Sequence, residues 1–165
     1  MSQIPIEKRF GILCEITRAQ HFAWRQAVAE TCPQVDPEKV VYRMWEITGH
    51  ETARAYLKRL DPSKPLPEQI ANSMVWSSQC MGEDAVVEKG ANDNEAYVIH
   101  NHCPWFLWHK QLDLLKEDQP GCDIWFETSL TDINRALGTN LRIETLSSLP
   151  LDGKPCRRRI WIESQ

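Results

Sequence analysis

The spacing of apolar residues changes character at Gly82, and that change limits the chain to a mixed architecture. Upstream, apolar side chains recur every three or four residues, the repeat of a helix with one buried stripe. Downstream, short stretches alternate apolar with polar, the repeat of a strand with one buried face. The expected fold class is therefore α+β: a helical N-terminal half, then a roughly four-stranded, mainly antiparallel sheet with packed helices.

Residues 6–31 predict a long first helix with Phe10, Leu13, Ile16 or Thr17, Gln20, Trp24 and Val28 on its stripe, ended at Cys32-Pro33. His21, without a spaced partner, reads as an ordinary packed or surface histidine. Asp36 and Pro37 suit the N-cap and first position of a second helix, interrupted near Gly49-His50. After the proline-rich connector 61–67, a third helix over 68–81 carries Ile70, Met74 and Trp76 inward. Strands follow at 85–88 and 95–101, and in the second His100 and His102 share a face by the two-residue repeat. Pro104 starts a helix that runs to about residue 116, with Cys103 as its N-cap. Residues 118–121 break it, and a last helix over 122–137 turns Cys122 inward. Segments 141–149 and 156–163 close the chain as a hairpin, in which Arg158 faces inward with Ile160 and Ile162. An inward arginine needs an anionic partner.

A chain of 165 residues is about one domain long, so residues 1–165 are expected to form a single domain. The net charge of −4 gives no reason to expect nucleic acid, and Arg157-Arg158-Arg159 is too short and too strand-like to track phosphates. No apolar run approaches the roughly 20 residues of a membrane span, so no membrane partner is expected. The first residues lack a basic stretch followed by an apolar core, which leaves a cytoplasmic address. The six cysteines form no C-x-x-C pair, so they are expected as thiols. The seven tryptophans either fill the core or wall a pocket for a small planar ligand.

The densest set of reactive side chains is His100-Asn101-His102-Cys103-Pro104-Trp105. A thiol at a helix N-terminus meets free N–H donors and the positive end of the helix dipole, which favour thiolate. Cys103 is thus a candidate nucleophile, with His102 or His100 as its base. A second reading uses zinc, the one cofactor these residues suggest. His100 and His102 would be ligands, and Cys156, Cys122 or His109 the third. Water activated on that metal would give a hydrolase or lyase.

The segment from His102-Cys103-Pro104 through Gly121-Cys122 to Gly153-Lys154-Pro155-Cys156 and Ile160-Trp161-Ile162 resembles the L-2-amino-thiazoline-4-carboxylic acid hydrolase-like family. The resemblance implies hydrolysis of a non-peptide C–N bond in a small, cyclic, carboxylated substrate. On that reading Cys103 attacks the ring amidine carbon, His102 or His100 shuttles the proton, and Cys122 belongs to the catalytic set. Arg158 clamps the carboxylate, and Trp105 and Trp125 contact the substrate. The reading from another class is a non-catalytic small-molecule-binding or sensor domain resembling the vinyl-reductase-type ligand-binding modules, its tryptophans lining a pocket and its cysteines structural. The expected partners are a small-molecule substrate and, as an oligomer, further copies of the chain.

Overall fold

The computed structural model describes residues 4–163. Helices α1 (Ile6–Thr31), α2 (Pro37–Leu57) and α3 (Leu66–Cys80) form the N-terminal half. Strands β1 (Asp84–Lys89) and β2 (Glu95–His102) follow, then α4 (Pro104–Gln111), α5 (Leu115–Leu137), β3 (Leu141–Ser147), the short α6 (Leu149–Asp152) and β4 (Cys156–Ile162). The four strands make one antiparallel sheet in the order β1-β2-β4-β3. The α+β expectation therefore holds. No helix among the described residues is long and apolar enough to cross a membrane.

The inner sheet face is set by register. Ala96 lies opposite Ile160, Val98 opposite Arg158 and His100 opposite Cys156, and all six side chains are buried. Helices α3 and α5 cover this face with Ile70, Ala71, Met74, Phe126, Leu130 and Ile133. The outer face carries charge: Arg157 pairs with Glu88, and Arg159 with Glu95 and Glu144. The basic run seen in the sequence is thus split between a buried cation and two neutralised ones.

Three expected helix boundaries change. The helix after Cys103 ends early, at Gln111, because Asp113 adopts a left-handed conformation (φ 59°). Helix α5 then starts at Leu115 and runs through Pro120 and Gly121, the residues expected to break it. Helix α2 is likewise continuous through Gly49. Each of these glycines serves a close approach: a Cβ on Gly121 would lie 2.9 Å from the Trp45 ring, and one on Gly49 2.8 Å from the Thr128 Cβ and 3.0 Å from the Trp125 carbonyl oxygen. Ser129, whose hydroxyl reaches the Gly49 carbonyl (3.1 Å), and Trp125, whose Nε1 donates to Thr52 (2.9 Å), complete the seam between α2 and α5.

The stripe of α1 is turned the other way from the expected one. Cys14, Arg18 and Phe22 are buried, whereas Phe10, Leu13, Ile16 and Trp24 are exposed, Trp24 by 74%. Trp76 is also half exposed, under the Arg59 guanidinium.

Replacing Gly49 by Val should destabilise the fold by about 1–3 kcal/mol, the range for overpacking. Gly11, in open space on α1, is the control: its replacement by Ala should stabilise by about 0.5–1 kcal/mol. Chemical denaturation of the two variants checks both signs.

Candidate functional site

The fold brings most of the singled-out residues to one small chamber of about 40 Å³ between the sheet, α4 and α5. Cys103, Trp105, Cys122, Trp125, Cys156, His100 and Arg158 all line it. Strand pairing places His100 beside Cys156, the N-cap position places Cys103, and α5 carries Cys122 and Trp125. His109, the alternative third metal ligand, lines it as well, together with Glu83 and Asp118, which were not singled out in the sequence. Glu83 follows directly on the glycine that ends α3, and Asp118 lies in the stretch expected as a loop; a buried acid there leaves no periodic trace.

His102 is absent from this group. Asp84 pairs with His102 and Ala85 with His100, so Asn101 is the extra residue of a bulge, and β4 pairing stops at His100. The alternation that would align the two rings is lost at that point. His102 is exposed and opens on a different groove beside Cys14, Arg18 and Trp108. The expected His100, His102 and Cys156 metal set is therefore divided. Among the described residues no group of three or more His, Cys, Asp or Glu is placed to hold a metal ion.

The chamber's electrostatics oppose a reactive thiolate. Burial pushes the Cys103 thiol far above its ordinary range and the nearby Glu83 charge pushes it further, outweighing the Phe106 amide directed at the sulfur. Burial also raises Cys122 and Cys156, the latter although the Leu149 amide donates to its sulfur (3.3 Å). The helix start thus does not prime Cys103, because desolvation is the larger effect. His100 is held neutral, pushed down to about 3 by burial and then by Arg158. Its Nε2 lies 2.9 Å from the Ser78 hydroxyl and 3.3 Å from Glu83, and its Nδ1 has no partner. Glu83 is itself pushed up to about 7, burial outweighing the Ser78 hydrogen bond and the Arg158 charge. His109 lies 3.1 Å from Asp118, and both are buried.

A second, larger cavity of about 500 Å³ abuts the chamber. Helices α1 and α2 form its walls with Trp24, Val28, Val40, Val41 and Met44, and Trp45, Met81 and Trp105 are shared by both cavities. His21 lines it, pushed down to about 4 by burial and by His109, with Nε2 unpartnered. The tryptophans thus divide: Trp45, Trp105 and Trp125 wall the chamber, and Trp24 stands at the outer cleft.

No family model and no curated protein matches the chain. Among solved structures, it is similar to a trafficking protein particle complex subunit 3 from Naegleria fowleri, crystallised covalently bound to palmitic acid. The TM-score is 0.56 at 12% identity, covering 93% of this chain and 97% of that one, a likeness of fold. This finding overturns the hydrolase reading: the architecture is shared with a subunit of a trafficking complex. The correction covers both the C–N hydrolase with a Cys103 nucleophile and the zinc hydrolase or lyase.

Two measurements check the chamber's chemistry. The buried neutral form of Glu83 contributes stability that is complete below about pH 4.5 and lost as pH rises through about 7. Glu83→Gln keeps the neutral form, so its stability relative to the parent should climb between those values by up to about 3 kcal/mol and then level off. A pH-independent difference in denaturation midpoints would contradict this. With iodoacetamide at neutral pH, mass spectrometry should find the exposed Cys80 modified well before Cys103, Cys122 and Cys156.

Proposed function

We propose that this chain is a non-catalytic binding domain that holds an apolar chain in the cleft between α1 and α2 and works as one subunit of a larger assembly. The cleft carries the reading. Its volume, about 500 Å³, lies in the roughly 300–1,000 Å³ range of small-molecule sites, and its lining is dominated by aliphatic and aromatic side chains. The structural neighbour supports the choice of ligand class, since a palmitoyl group is the same kind of unbranched apolar chain. The exposed apolar residues of α1 (Ile6, Phe10, Leu13 and Ile16) support a partner chain, because a contiguous apolar surface of this kind marks interaction sites.

The small molecule is then a ligand, and the pocket reading of the tryptophans is preferred to core filling at Trp45 and Trp105. The likeness to the thiazoline hydrolase-like family stays a proposal of kinship, supported by Cys103, Cys122 and Cys156 meeting at one chamber. A cytoplasmic address is proposed on the six free thiols, which suit a reducing compartment.

Titration with ten-carbon amphiphiles tests the reading, because Trp45 and Trp105 report on the cleft by fluorescence. Binding with either a carboxylate or a hydroxyl head is expected to perturb the emission saturably. Val40→Glu, which places a charge at a half-exposed position of the wall, should weaken it at least tenfold. Absence of saturable binding by both ligands would refute the proposal.

A further inference from the structure

Arg158 is a buried cation left without an anion at hydrogen-bond distance among the described residues. It is 3% exposed, its Nε has no partner, and its guanidinium stands 4.7 Å from the centre of the Phe126 ring. The nearest carboxylate oxygen, Asp123 Oδ1, is 3.9 Å away and already accepts from Gln119 (2.7 Å) and Thr145 (3.1 Å). The chamber's other acids are engaged elsewhere: Asp118 faces His109, and Glu83 faces Ser78 and His100. Holding a guanidinium out of water in this way is unfavourable unless an anion joins it.

A second donor is orphaned at the same place. Trp105 is 7% exposed, its Nε1–H has no partner, and its ring lines both the chamber and the cleft. His100 Nδ1, also unpartnered, carries a proton whenever Ser78 donates to Nε2. The chamber's 40 Å³ is about the room of three waters, comparable to one carboxylate. Between chamber and cleft stand Trp45, Trp105 and the unbranched, adaptable Met81.

We infer that the chamber is a carboxylate-binding subsite: the ligand is a free fatty carboxylate whose chain lies in the cleft and whose head passes Met81 to reach Arg158 and Trp105. This rests on the binding-domain reading above and adds the head group and its orientation. The head is held by charge-assisted hydrogen bonds from the Arg158 guanidinium and a hydrogen bond from the indole N–H. No covalent bond to a cysteine is required.

The discriminating experiment compares decanoate with 1-decanol at pH 6, where Glu83 is neutral and decanoate is charged, by tryptophan fluorescence and calorimetry on the full chain. Decanoate should bind at least tenfold tighter than decanol. Arg158→Gln should bring the ratio of affinities close to one, and Trp105→Phe, which keeps the aromatic wall and removes the donor, should reduce it severalfold. Equal affinities in the unaltered protein would overturn the subsite while leaving the cleft intact, and they would do so whether or not the Arg158 variant folds. A preference that survives in a folded Arg158→Gln protein would also overturn it. If neither ligand binds, the binding-domain reading fails together with the subsite.

Discussion

Helix α2 must lie almost in contact with the backbone of α5, and everything else about the interior follows from that approach. It is possible only where side chains vanish, at Gly49 on α2 and Gly121 on α5. With the two helices so close, Trp45 fits over Gly121 and Trp125 reaches across to Thr52, so two large rings are locked at the border of the core. The chamber exists because these rings hold the walls of α2 and α5 in fixed positions above the sheet. Filling either glycine would change the cavity before it changed the topology.

A second constraint is ionic. The first turns of α5 bury Glu117 and Asp118, and burial of a carboxylate demands a partner. Arg25 from α1 takes Glu117, and His109 from α4 takes Asp118. These two contacts tie α1 and α4 to the start of α5. Arg158 lies in the same interior and has no carboxylate at hydrogen-bond distance among the described residues.

Much of the fold was legible because it rests on local patterns. The period change at Gly82, the Asp36-Pro37 helix start and the alternation around Ile160 each depend on neighbours in sequence. What could not be read was decided by distant contacts. Pro120-Gly121 has the local grammar of a break, yet the gain from packing Gly121 on Trp45 keeps the helix whole. The α1 stripe was misassigned because its most apolar face is the one left exposed, while a buried arginine and cysteine occupy the inner side. In the candidate site, Arg158, His100, Cys103, Cys122 and Cys156 converge on one chamber. Their chemistry did not follow, because a thiol's reactivity depends on its solvation, which only the packed structure reveals. His102 was lost to a bulge that no two-residue repeat can foresee.

The attachment of α1 is of a particular kind. The helix is fastened by Arg18 to the Met81 carbonyl (2.7 Å), by Phe22 stacked on Trp108 and by Arg25 to Glu117, while most of its apolar residues contribute nothing to the core. A wall held by a few polar clasps can be released without dissolving the sheet or α5, since such subglobal openings need only the local contacts to break. Helix α1 is therefore joined to the rest of the molecule along one narrow line of contacts, and the cleft wall it forms adds little to the core beneath.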